Sequence, residues 1–67
     1  MSVQYIADGY NAQDQRVILW RLSDYTYEVE IGTGNQKHLV KLYETEYYDA
    51  VNFFNSLTQT ENNLNLA

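Results

Sequence analysis

The centre of the chain alternates between apolar and polar positions. Over residues 25–31 the apolar side chains occupy one parity and the polar ones the other: Tyr25, Tyr27, Val29 and Ile31 against Thr26, Glu28 and Glu30. This pattern predicts a half-buried antiparallel strand whose apolar side faces a core. The next residues, 32–35, read Gly-Thr-Gly-Asn and favour a hairpin turn, because glycine tolerates the positive φ angles of tight loops.

The hairpin turn sets the register of the strand that follows. With the loop centred between Thr33 and Gly34, Val40 lies opposite Tyr27. Cross-strand partners share one face of a sheet, so Val40 and Leu42 are predicted to face inward. The other parity of this strand is predicted to face outward: Leu39, Lys41 and Tyr43.

The same argument applies to the strand before it. Residues 16–22 are strand-like, and Ser23 and Asp24 predict a tight turn. Pairing across this turn places Trp20 opposite Tyr27. The predicted inner face then consists of Ile18, Trp20, Leu22, Tyr25, Tyr27, Val29, Ile31, Val40 and Leu42. A slip of one residue in either turn would reverse every side chain of its strand.

From Thr45 onward the apolar spacing changes to that of a helix. The apolar stripe consists of Tyr47, Ala50, Val51, Phe54 and Leu57. Thr45 is the expected N-cap, with its hydroxyl accepting hydrogen bonds from N–H groups of the first turn.

These elements predict an α+β fold. We expect a small antiparallel β-meander with one C-terminal helix packed on one face. The meander has three strands, or four if the alternating residues 3–7 add one. Residues 1–58 form the expected domain. Residues 59–67 form a polar tail that we expect to be flexible, unless Leu64 continues the helical stripe begun by Leu57.

Composition narrows the class of protein. Sixty-seven residues allow one domain, and four Lys/Arg against nine Asp/Glu make it acidic. The longest apolar run, residues 17–20, is far shorter than the roughly 20 residues that span a bilayer. Without cysteine or a basic leader, a soluble cytoplasmic protein is expected. The ten aromatic residues favour a small core built from large side chains, with an aromatic binding surface as the alternative.

Residues suited to catalysis, metal binding or phosphate binding are scarce. His38 is the one histidine and there is no cysteine, so no Cys/His nucleophile pair forms and a metal site would need carboxylates for its other ligands. Glu28 and Glu30 lie on an open strand face, not in the cleft that acid–base catalysis needs. Lys37 is the expected partner of Glu30, and Glu28 is expected to lie diagonal to Lys37 and Lys41. The Gly32–Gly34 segment is too short to bind a nucleotide phosphate. We therefore expect no enzyme, no cofactor and no metal.

The predicted outer face of the sheet is the candidate interaction surface. It comprises Val17, Leu19, Arg21, Glu28, Glu30, Lys37, Leu39, Lys41 and Tyr43. Its mixture of aliphatic and charged side chains suits a surface that a partner covers, although isolated surface aliphatics are also common on ordinary exposed sheets. Docking two such faces would bury Val17, Leu19 and Leu39, so a homodimer is one expected mode.

The layout is similar to that of the plant AP2-type and phage-integrase arm-type DNA-binding domains. The similar part is residues 25–54, especially the passage Leu-Tyr-Glu-Thr-Glu-Tyr-Tyr-Asp-Ala over residues 42–50. The resemblance implies three antiparallel strands on a C-terminal helix, with the sheet presented to the major groove. Arg21, Lys37 and Lys41 fit this, but Glu28 and Glu30 stand where such domains carry arginines and tryptophan, and they would repel phosphates.

The leading functional expectation is thus a non-enzymatic protein-interaction module with an unidentified protein partner or a second copy of itself. Small acidic domains of this build are often regulators or inhibitors, including phage-encoded ones, which is an association at the level of the fold class. DNA binding through the outer sheet face is the alternative. It predicts an affinity that falls steeply with salt.

Overall fold

The computed structural model describes residues 2–58 and places them in a four-stranded antiparallel sheet with one helix. The elements are β1 (Gln4–Tyr10), β2 (Arg16–Ser23), β3 (Thr26–Ile31), a 3₁₀ turn (Gly34–Gln36), β4 (His38–Leu42) and α1 (Tyr47–Leu57). The strands lie in the order β1-β2-β3-β4, so every strand pairs with its neighbour in sequence. The predicted α+β meander with a C-terminal helix is confirmed, with β1 as its fourth strand. The predicted flexible tail, 59–67, lies outside the described residues.

One core lies between the sheet and α1. Its buried members come from β2, β3 and the helix: Val17, Leu19, Tyr27, Val29, Ala50 and Phe54. Partly buried side chains surround them, among them Val40 and Leu42 of β4 and Val51, Phe53 and Leu57 of α1. Within residues 2–58 there is a single helix, and it covers one face of the sheet.

The predicted orientation of β2 is wrong. Leu19 pairs with Val29 and Val17 with Ile31, so Val17 and Leu19 lie beneath the helix. Ile18 and Trp20, predicted to be core residues, lie half-buried on the opposite face. Tyr25, also predicted to face inward, is exposed in the turn before β3.

The reversal originates in the β2–β3 connection. Ser23 pairs with Thr26 across a two-residue turn, and the register shifts between Arg21 and Ser23, which leaves Leu22 as an extra residue. A bulge of one residue exchanges the two faces of the strand that carries it. Both parities of β2 are largely apolar, so the hydrophobic pattern alone did not decide which one faces the helix.

The β3–β4 connection preserves the predicted faces but not the predicted partners. Val29 pairs with Val40 and Tyr27 with Leu42, a shift of two residues from the predicted register. A shift of two retains parity, so Val40 and Leu42 face the core as predicted. The loop is longer than a tight hairpin because the 3₁₀ turn is inserted in it, with positive φ angles of 86° at Gly32 and 61° at Gly34.

The helix stripe was predicted correctly in its central part. Ala50 and Phe54 are buried, whereas Tyr47 at the start of the stripe is largely exposed. The N-cap is Glu46 instead of Thr45, and neither residue's side chain caps the helix: the Thr45 hydroxyl donates to the carbonyl of Tyr43 at 2.8 Å.

The end of α1 closes onto the edge strand β1. A Cβ atom added at Gly9 would lie 3.4 Å from Thr58 Cγ2 and 3.8 Å from Phe54 Cζ. Thr58 is buried there, and both its N–H and its hydroxyl donate to the Phe54 carbonyl, at 3.1 and 3.2 Å. The missing side chain of Gly9 therefore makes room for the last turn of the helix.

Candidate protein-interaction face

The sheet face turned away from α1 is here called the open face. Two cross-strand rows make up most of it: Tyr5, Trp20, Glu28 and Lys41 in one, and Asp8, Ile18, Glu30 and Leu39 in the other. Tyr10 and Arg16, another cross-strand pair, extend it at one end. The alternation of β3 produces this arrangement, since Val29 and Tyr27 point to the helix and Glu28 and Glu30 point away from it.

Trp20 lies at the centre of the open face and is held by two neighbours. Its indole Nε1 donates to Glu30 Oε1 at 3.0 Å, and its ring meets that of Tyr5 edge to face, with centroids 6.0 Å apart. Trp20 is half-buried, and a buried indole N–H usually finds a hydrogen-bond partner within the protein. The bond to Glu30 and the contact with Tyr5 together fix the orientation of the ring.

A chain of polar contacts crosses the β1 side of the open face. The Tyr5 hydroxyl donates to Asp8 Oδ1 at 2.6 Å, while Arg16 donates from Nε to Asp8 Oδ2 at 3.0 Å and forms an ion pair with it at 2.7 Å. The hydrogen bond from Tyr5 lowers the pKa of Asp8, with a smaller contribution from Arg16. The same hydrogen bond raises the pKa of Tyr5.

Replacing Tyr5 with phenylalanine should raise the pKa of Asp8 toward its ordinary value, because the main group that stabilises its carboxylate is lost. In the native chain Asp8 stabilises the fold above its unfolded pKa, and this stability is lost as the pH falls through the lower folded pKa. A carbon-detected NMR titration of the Asp8 carboxyl measures the shift. Tyr10→Phe, an equally exposed tyrosine on the same strand, is the control. Equal Asp8 titration curves in the native chain and Tyr5→Phe would contradict the prediction.

Opposite charges balance on the open face. Its carboxylates are Asp8, Glu28 and Glu30, and its cations are Arg16, Lys41 and, at the rim, Lys37. Lys37 Nζ lies 3.3 Å from Glu30 Oε2, which confirms that predicted pair, and Lys41 lies directly across from Glu28. The formal charge of −5 therefore comes from the remaining charged residues of the sequence.

The residues of the predicted interaction surface are only partly brought together. Glu28, Glu30, Leu39 and Lys41 lie on the open face, Lys37 lies at its rim, and Tyr43 is exposed just beyond β4. The prediction is wrong for three members, which lie on the helix side: Val17, Leu19 and Arg21. The first two are buried in the core, and the Arg21 guanidinium lies 5.8 Å from the centre of the Tyr27 ring.

Sequence reasoning missed the centre of this surface. The predicted turn at Ser23 and Asp24 puts Ile18 and Trp20 in the core by pairing them with the inward-facing side of β3. The sequence analysis places Tyr5, Asp8 and Arg16 in no site. Glu30 lies opposite Ile18, two residues from Glu28, which is the direct partner of Trp20. This nearby carboxylate is a signal for the position of the indole, but it is visible only once the register is known.

The described residues assemble no group of three or more histidine, cysteine, aspartate or glutamate side chains that could hold a metal ion. His38 is exposed at the start of β4, where it pairs with Ile31 and not with Val29 as predicted. Over residues 2–58, no helix is long and apolar enough to cross a membrane.

Comparison with protein-family models, curated proteins and solved structures finds no match for this chain.

Proposed function

We propose that this protein is a non-enzymatic protein-interaction module that contacts its partner through the open face. The observation that carries the proposal is the placement of Tyr5, Ile18, Trp20 and Leu39, from β1, β2 and β4, on the side of the sheet that faces away from the helix. Leu39 is 57% exposed. Clustered apolar and aromatic side chains bounded by charges are typical of the centre and rim of a protein interface.

The charge distribution favours a protein over a nucleic acid. Arg16 and Lys37 are already paired with carboxylates, and Arg21 lies on the helix side, so few cations are available to phosphates. Glu28 and Glu30 stand in the middle of the face, where they would repel a phosphate backbone. A DNA-binding sheet needs the opposite distribution, so that alternative has less support than a protein partner.

The size of the open face indicates a reversible contact. Four strands about 4.8 Å apart and some 20 Å long present roughly 400 Å². Stable interfaces bury about 800 Å² per partner. A homodimer through this face alone would therefore be weak, the more so because Val17 and Leu19 are unavailable to it. These dimensions better fit a small acidic regulator or inhibitor that binds another protein, with Trp20 as the central contact residue.

Matched surface variants test this proposal. Leu39→Lys places a charge on the open face, and Tyr48→Lys makes the corresponding change on the helix at a residue that is 78% exposed. We expect the native chain and Tyr48→Lys to capture the same partner from an extract of the source cells, and Leu39→Lys to lose it. Sedimentation equilibrium from micromolar to millimolar concentration, on the same three proteins, measures self-association.

Two results would contradict the proposal. In the first, the native chain is monomeric in sedimentation equilibrium and captures the same proteins from the extract as Leu39→Lys does. The other is binding to duplex DNA that weakens steeply with salt, which would favour the DNA-binding alternative.

A further inference from the structure

The open face contains a shallow depression beside Trp20. It is lined by Val3, Trp20, Leu22, Glu28 and Glu30 and has a volume of about 360 Å³. Val3 and Leu22 supply apolar walls, the indole supplies an aromatic wall, and the two glutamates supply negative charge. This volume accommodates one long side chain of a partner.

We propose that this depression binds a cationic side chain, preferentially an arginine, on a basic segment of the partner protein. The inference rests on the proposed function, since it names the chemistry that the open face recognises. An apolar and aromatic wall accepts the methylene stem of such a side chain, while the π face of an indole attracts its charge. A carboxylate at the edge of the same depression can then accept hydrogen bonds from the guanidinium.

The two glutamates have different parts in this recognition. Glu30 is already occupied, because Oε1 accepts from the Trp20 indole and Oε2 pairs with Lys37. Glu28 is half-buried and, within residues 2–58, forms no ion pair or side-chain hydrogen bond. Glu30 therefore positions the indole, and Glu28 is the carboxylate that remains available to a ligand.

Charge complementarity with the rest of the molecule supports a basic occupant. The chain has a formal charge of −5 at pH 7, which attracts a cationic segment over a distance of about one Debye length. Arginine suits the depression better than lysine, since its planar guanidinium stacks on an aromatic ring while it donates two parallel hydrogen bonds to a carboxylate.

Trp20 is the only tryptophan, so its fluorescence reports directly on the depression. The experiment titrates the full chain with a short oligo-arginine peptide and with an oligo-citrulline peptide of the same length, which is isosteric but uncharged. We expect a saturable change of Trp20 emission with the arginine peptide only. Glu28→Gln should weaken this binding roughly tenfold, the loss expected when one charge-assisted hydrogen-bonded pair is removed.

Asp14→Asn is the matched control, because it removes the same charge from the exposed loop between β1 and β2. Asp14 has a φ of 66°, a conformation that asparagine also tolerates. We expect Asp14→Asn to weaken binding far less than Glu28→Gln. Equal losses in the two variants would overturn the proposal, since they would show attraction to the net charge alone.

Two further results would also overturn it. Equal binding of the citrulline peptide would show that the charge is not recognised. A change of Trp20 emission with the concentration of the chain alone would make a second copy the occupant. Circular dichroism verifies that Glu28→Gln remains folded. If the arginine peptide fails to bind while Leu39→Lys still abolishes partner capture, the inference fails and the proposed function stands.

Discussion

Leu19→Ala should destabilise the domain by about 2–5 kcal/mol, whereas Ile18→Ala at the adjacent position should cost only about 1 kcal/mol. Leu19 is fully buried in the core beneath α1, and Ile18 is half-buried on the open face. A domain of this length has a total stability of roughly 3–10 kcal/mol. Leu19→Ala should therefore remove a large part of the total stability, and Ile18→Ala only a small part.

Urea denaturation followed by far-UV circular dichroism measures both free energies of unfolding, and the neighbouring substitution serves as the control. The pair tests the orientation of β2 directly, because the two side chains are similar in size and lie on opposite faces. A larger loss for Ile18→Ala than for Leu19→Ala would mean that β2 has the opposite orientation, with Trp20 in the core.

The parts of the fold that the sequence predicted well are those where only one choice buries apolar surface. In β3, Val29 and Tyr27 alternate with glutamates, so the opposite orientation would bury Glu28 and Glu30 without compensation. The helix also has only one orientation that buries apolar surface, because Phe54 and Ala50 lie on one stripe and the opposite side of the helix is polar.

The orientation of β2 was not predictable in this way. Both of its parities are apolar, so the choice depended on an exact count of turn residues, and the extra residue at Leu22 changed that count by one. The observed orientation has a physical advantage. Compact aliphatic side chains, Val17 and Leu19, fit under the helix, while the indole N–H of Trp20 donates to the Glu30 carboxylate, an acceptor that the apolar core would not provide.

The candidate interaction face combines residues of the well-predicted strands with residues of β2, whose orientation was not predicted. Glu28 and Glu30 were predicted on the outer face through the alternation of β3, and Leu39 and Lys41 through the preserved parity of β4. The aromatic centre of that face was not predicted, because it depends on the bulge at Leu22 and on β1, whose pairing brings Tyr5 to Trp20. The contact between these two rings is a tertiary feature that residues 3–7 alone do not indicate.

The end of α1 packs against β1, so we expect a second large loss of stability when this contact is removed. Phe54→Ala should cost about 3–5 kcal/mol, because it leaves a cavity over Gly9 in the core. Tyr48→Ala, on the exposed side of the same helix, should change the stability by less than about 0.5 kcal/mol. Both substitutions raise helix propensity similarly, so the difference between them measures burial.

Gly9 allows the same contact to be tested from the strand. Gly9→Val alone should destabilise the domain by about 1–3 kcal/mol, since its methyl groups would press on Thr58 and Phe54, which already lie 3.4 and 3.8 Å from the Cβ position. In the Phe54→Ala background the valine instead fills part of the cavity. The double variant should then be about 1–2 kcal/mol more stable than the sum of the single changes predicts. Additive effects in urea denaturation would mean that the end of α1 does not pack on Gly9.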